Sequence, residues 1–547
     1  MRLWRHLHVR RIHRIPQRFT SSSRSQQLPK IIYASHVAFP PCCGGPQPGA
    51  ITISSTGHIE SIHPTFSLND AKQLALKRNL VLTDLSSDNT CPIVLSPGLI
   101  DVHCHISELG RHWEGYHTAT RSAAAGGITT LMGMPLNSIP ATTTIDALRQ
   151  EIDAAHNVRL MADVGLWGGA VPSNSSPEGI EELKNLLDGG VFGLKAFLAP
   201  LPPDAGYETV TPAQLEIAAT ICGERGKPLL VHSELMTQEQ QDAKAEEAYA
   251  GKSDSSYEAH VASRPALWEQ NAVQVVCDLS DRCHMHIVHL SDSGCLDIIE
   301  RAKRRLSETP SKAANLTVET CPHYLLFDVE SMPDGDTRYK CFPPIRSKRN
   351  QNELWRRGLF AKDDNNLPLI DMIASDHSPC TPDLRLQETN NVRKAWGGLT
   401  GLQYQLPATA MAMHQYIMEM RGTEETSDDE DEELQVMLTR LTEWWSAAPS
   451  RLVPGLPAFK GSIDVGQQAD LCAWDASYIG KPSQYSTEHH RWKGGGVFAD
   501  VDLRGRVIGT WLKGIKVYDG ESDSFIIDQE EKGAELKKAC IGRLLLC

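Results

Sequence analysis

Ser96-Pro97-Gly98-Leu99-Ile100-Asp101-Val102-His103-Cys104-His105 is the stretch whose reading decides the fold. A Pro-Gly turn opens it, an apolar run follows, and the run ends in two histidines spaced i and i+2. On a strand that spacing points both imidazoles to one face. Two such rings are half of a metal site or a pair of satisfied core histidines, and the stretch alone allows both.

Working outward, short apolar runs alternate with helical stretches from about 96 to 455, the signature of βα units. After the opening run come 128–132, 160–164, 193–197, 228–232, 285–289, 316–320 and 371–375, giving eight candidate strands. Eight units fit an α/β fold of the (β/α)8 TIM-barrel type, in which chemistry sits at the carboxyl ends of the strands. Strand-like runs separated by turns lie on either side, in 31–95 and again in 456–530. These predict one small β-sandwich domain built from both chain ends.

Composition narrows the function. The chain has 547 residues and a net charge of −14, with 41% hydrophobic and 22% charged residues, the profile of a soluble globular protein. Its acidity argues against a general nucleic-acid binder, and no apolar stretch of about 18 residues predicts a membrane span. Fourteen scattered cysteines without Cys-x-x-Cys repeats read as reduced thiols of an intracellular protein. Residues 1–30 are Arg- and Ser-rich, and the first acidic residue is Glu60. That composition suits an organellar leader of the mitochondrial type or a disordered extension; without a working leader the protein is cytoplasmic. The acidic run 423–433 reads as a solvated helical insertion in the barrel, and the tail 531–547 as a short helix.

The polar residues at the candidate strand ends are His103, His105, Lys195, His232, His289 and Asp376. A barrel would aim all six into one mouth. Four imidazoles and a carboxylate suit Zn²⁺, with Fe, Co or Mn as substitutes. Lys195 is the odd member. It either forms a salt bridge or has reacted with carbon dioxide to give an anionic carbamate, and its apolar neighbours Leu194, Ala196 and Phe197 favour the neutral amine that carboxylation needs.

The stretches SPGLIDVHCHISELGRHWEGYHTATRSAAAGGITTLMGMPLNSIPATT, GLKAF, LLVHSE, HIVHLS, ETCPHYL, CFPPIR, ASDHSPC and KAWGGLTGLQ carry a resemblance to the cyclic amidohydrolases of the amidohydrolase superfamily, over about residues 30 to 520. GMPLNS and KAWGGL point to the branch that opens the ring of allantoin, a cyclic ureide. The resemblance implies two divalent metal ions bridged by N6-carboxylated Lys195 and a hydroxide. His103, His105 and Asp376 would complete one shell, and His232 and His289 would hold the second ion. It implies that Asp376 shuttles the proton from hydroxide to the leaving nitrogen. Asn137, the loop of Cys321 and His323, and the loop of Trp396 and Gly397 would meet the small-molecule substrate. It also implies a homotetramer.

Departures from sister groups narrow the substrate. Dihydroorotase-like relatives carry an arginine where Ser107 stands, which disfavours a carboxylated ring. Hydantoinase and dihydropyrimidinase relatives carry a tyrosine five residues after the bridging lysine, where this chain has Pro200. Leu109 replaces a proline usual in the loop after His105. A non-catalytic scaffold of the same fold would have lost metal ligands, whereas all six positions are kept here.

Overall fold

The computed structural model describes residues 28–86, 92–202, 205–308, 315–361, 368–421, 427–526, 528 and 541–547. Eight parallel strands form its centre: β1 (Leu99–Cys104), β2 (Ile128–Gly133), β3 (Asp163–Leu166, continued by Gly168–Gly169), β4 (Leu194–Phe197), β5 (Leu229–His232), β6 (His284–Ile287), β7 (Asn315–Thr320) and β8 (Met372–Ile373). Neighbours pair in sequence order from β1 to β8. The ring closes where the His105 N–H donates to the His377 carbonyl at 2.9 Å and Ser375 bonds Asp101 through both N–H and hydroxyl. Such strands are buried on both faces, which explains why they read as short continuous apolar runs. Several connecting helices start at side-chain caps, as at Thr144 before Ile145–His156 and Thr211 before Pro212–Glu224.

β3 begins three residues later than its apolar run predicts. Val164 bonds the chain's final segment instead, its N–H donating to the Arg543 carbonyl, while the Gly542 N–H donates to Leu160. Residues 541–547 are therefore extended along β3 rather than helical, because their backbone groups are satisfied by a strand edge.

The strands expected at the two chain ends form one nine-stranded sheet. Ile93–Pro97 joins its halves, pairing parallel with Lys30–Ala38 and antiparallel with Leu471–Gly480. Ile32, Ile51, Leu95, Leu471 and Trp511 pack in its core. The part of the acidic run that is described starts a helix, Ser427–Thr442. Glu433 on it is buried in an ion pair with Arg504 rather than solvated. Residues 1–27 of the leader, 423–426 of the acidic run and 531–540 of the tail lie outside the described residues.

Candidate metal centre

The carboxyl ends of the strands surround a cavity of about 110 Å³. His103 and His105 leave β1 on the same face, His232 ends β5, His289 follows β6 and Asp376 follows β8; all five line the cavity. His103 Nε2 and His105 Nε2 lie 3.2 and 3.3 Å from one oxygen of Asp376. One ligand atom from each of the three fits within 4.8 Å of the others, as a shared ion requires. The His289 ring lies 4.6 Å from that of His232 and 5.5 Å from that of His103, centre to centre, bringing the two halves into contact.

Lys195 on β4 is fully buried, and among the described residues its Nζ has no hydrogen-bond partner. Burial is the main influence on its amine and lowers its pKa to about 7, so the neutral amine is accessible. Burial likewise lowers His105, His232 and His289, leaving neutral rings with lone pairs to give. For Asp376 burial opposes the charge, but His103, His105 and His289 outweigh it and hold the carboxyl well below its ordinary range. His289 Nδ1 is also buried without a partner among the described residues. Leaving such groups unbonded costs stability, on the order of 1–3 kcal/mol each, so an orphan amine beside neutral imidazoles and a carboxylate fits a set of donors waiting for cations.

The backbone is strained at the same place. Ser107, Asn137, His289 and Asp376 adopt φ values of 52°, 64°, 42° and 43°. Non-glycine residues rarely occupy this left-handed region, and they persist where surrounding contacts impose it and a site uses it.

A supporting layer stands behind the ligands. His232 Nε2 lies 2.9 Å from Glu234, which Arg264 grips with two nitrogens at 2.5 and 3.0 Å. His103 Nδ1 lies 2.5 Å from Glu319. Both glutamates lie in the stretches LLVHSE and ETCPHYL, where sequence alone assigned them no role. The available signal was a carboxylate within or just after an apolar strand, where a charge needs a partner.

Of the expected substrate residues, Asn137, Trp396 and Gly397 line the cavity. Asn137 also lies 3.2 Å from His105 Nδ1. Cys321 and His323 are buried and stand outside the lining, and burial lowers the His323 ring to about 4. Phe197 and Phe342, which sequence reasoning missed, supply apolar walls. No tyrosine is among the described residues of the lining; Tyr207, the nearest candidate in sequence after Lys195, spends its hydroxyl on the Lys195 carbonyl at 2.6 Å.

A barrel that gathers neutral histidines, a carboxylate and an orphan lysine at its strand ends has the architecture of a metal-dependent hydrolase. The sequence profile described as "Amidohydrolase family" matches residues 94–517, and the chain belongs to that family. The allantoinase of Arabidopsis thaliana is 38% identical over 436 residues, 78% of each chain. The allantoinase of Streptomyces avermitilis is 38% identical over 487 residues, 87% of this chain and 93% of its own. Among solved structures, the L-hydantoinase (dihydropyrimidinase) from Arthrobacter aurescens matches with a TM-score of 0.73 and 23% identity, over 95% of this chain and 100% of its own, a likeness of fold. The chain is thus a hydrolytic enzyme with a site for a small molecule. No helix among the described residues is long and apolar enough to cross a membrane.

Proposed function

We propose that this enzyme is an allantoinase, opening the hydantoin ring of allantoin with water to give allantoate. One observation carries the reading: five residues of the expected ligand set, His103, His105, His232, His289 and Asp376, line a single cavity in a chain 38% identical to allantoinases across most of its length. His103, His105 and Asp376 would hold one divalent ion and His232 and His289 a second, most simply Zn²⁺, with carboxylated Lys195 between them. Bound there, the ions would polarise the scissile carbonyl and make water acidic enough to attack near neutral pH.

The protein's own groups do the rest. Lys195, whose neutral amine burial makes accessible, adds to carbon dioxide and releases one proton, turning an orphan donor into an anionic acceptor. Asp376 accepts the proton of the attacking water and returns it to the ring nitrogen as the C–N bond breaks. Ser378 Oγ donates to Asp376 Oδ1 at 2.9 Å and fixes that carboxylate. Asn137 offers an amide to the ureide edge, and Phe197, Phe342 and Trp396 exclude water from its faces. The sheet (31–95 with 456–530) and the barrel (96–455) act as two domains, and the assembly is a homotetramer in the cytoplasm, or in an organelle if residues 1–30 address it there.

A side-by-side hydrolysis screen of allantoin, hydantoin, dihydrouracil and dihydroorotate, after loading with zinc and bicarbonate, tests the assignment. Allantoin should be the best substrate by kcat/KM. A preference for dihydrouracil sinks it, and less than one metal per chain with no turnover favours a non-catalytic scaffold.

A further inference from the structure

We propose that Glu319 is a positioning residue shared by both halves of the metal site, and that a buried hydrogen-bonded chain along β6 and β7 fixes its partners. The inference rests on the reading that His103 and His289 are metal ligands.

Glu319 is fully buried near the end of β7 and meets no lysine or arginine among the described residues. Its three partners are His103 Nδ1 at 2.5 Å, His286 Nε2 at 3.0 Å and the backbone N–H of His289 at 3.3 Å. Its Oε1 faces His103 and the His289 N–H, and its Oε2 faces His286, so both carboxyl oxygens are engaged. Carboxylate oxygens placed against a backbone N–H and two ring nitrogens act as acceptors, so each partner presents a hydrogen to them.

That requirement settles the protons one after another. His103 carries its hydrogen on Nδ1, which leaves the Nε2 lone pair facing Asp376, where an ion would bind. His286 carries its hydrogen on Nε2, so its Nδ1 accepts from the Thr317 hydroxyl at 2.8 Å. That hydroxyl, having donated, accepts from His284 Nε2 at 2.8 Å. His284 and His286 alternate along β6, and Thr317 and Glu319 alternate along β7, with His286 paired to Thr317 across the parallel register. The two-residue period puts all four on one face of the strand pair, and the chain climbs from the amino end of β6 to the site.

Glu319 therefore holds the ring of a ligand in one half and, through the backbone N–H, the strained His289 of the other. Arg264 neutralises Glu234 behind His232, whereas Glu319 is met by two imidazoles and one backbone N–H. A glutamine at 319 would offer one acceptor and one donor to two ring N–H groups, and one of them would lose its tautomer.

The test uses the full chain loaded with Zn²⁺ and bicarbonate, then dialysed against EDTA while bound zinc is counted. Compared with wild type, Glu319→Gln should release zinc about 10–100 times faster, from both positions together. Its kcat should fall while KM moves less than about threefold, and the metal-free protein should melt within a few degrees of wild type. Thr317→Val, which leaves Glu319 in place, should release zinc about three to ten times faster, and it decides the matter if Glu319→Gln does not fold. Unchanged zinc release in the folded variants overturns the inference, as does loss of only one ion or loss matched by an equal fall in the metal-free melting point. A wild type that takes up no zinc overturns the functional reading itself, and this inference with it.

Discussion

The two ends of the barrel bury charge in opposite ways. At the carboxyl ends of the strands, Lys195 Nζ and His289 Nδ1 are buried without a partner among the described residues, and four non-glycine residues around them hold left-handed backbone. At the amino end of β3, Asp163 is just as deeply buried, but the protein itself supplies its partners: Lys513 Nζ at 2.9 Å and the Arg543 N–H at 2.8 Å bond one oxygen, and Lys460 Nζ forms an ion pair with the other at 3.0 Å. Burial raises the Asp163 pKa, but the two lysines outweigh it and bring it to about 2. One end spends stability to keep groups free for a ligand, and the other closes its polar groups against each other.

Lys195→Ala tests the open end most severely. It should lose metal and at least about a thousandfold in kcat, with part returned by short carboxylic acids that replace the carbamate; two metals retained by this variant would remove the carbamate from the mechanism. Asp163→Asn tests the closed end. It should lower unfolding free energy by about 3–5 kcal/mol, because buried Lys513 loses its carboxylate and Lys460 is left with Asp470 alone, while kcat stays within about twofold; chemical denaturation and steady-state kinetics read the two quantities. Since the folded Asp163 pKa lies below the ordinary carboxylate value of about 3.9, its contribution is present above that value and is lost as pH falls through about 2. The variant's stability curve should accordingly be flatter over that acid window.

Glu234→Gln sharpens the contrast within the open end, leaving Arg264 buried and the His232 ring loosely held. Activity should fall about 10–100-fold, with faster zinc loss on dialysis. Gly398→Ala has the smallest effect. A Cβ there would stand 2.6 Å from the Ser378 backbone oxygen, so the loop of Trp396 must back away from the cavity. KM for allantoin should rise about three- to tenfold, with metal content unchanged in the same preparation.

The open end was the more legible in sequence. Each candidate residue follows an apolar run, so spacing alone collected His103, His105, Lys195, His232, His289 and Asp376, and all eight strands appeared near their predicted places. Glu319 carries no role on sequence grounds, because a carboxylate two strands away from the His103 ring leaves no local period to count, whereas Glu234, two residues after His232, stood at a spacing that could have revealed it. The Asp163 cluster was invisible for the same reason: its partners come from residues 460, 513 and 543, and only the folded backbone brings them together. The late start of β3 and the extended 541–547 segment were lost likewise, since a tertiary strand edge overrode local helix propensity.

The sheet built from residues 30–97 and 471–525 also has a consequence for how the chain reaches its native state. Its central pairing, Ile93–Pro97 with Leu471–Gly480, joins segments more than 370 residues apart, and long-range closure of that kind is slow. The barrel can nucleate from neighbouring units, whereas Ile93–Pro97 must wait with an unpaired edge. An open apolar edge is a template for pairing with another molecule. Refolding from denaturant should therefore lose protein to aggregation in proportion to concentration, and a peptide spanning 471–480 added at the start should reduce that loss.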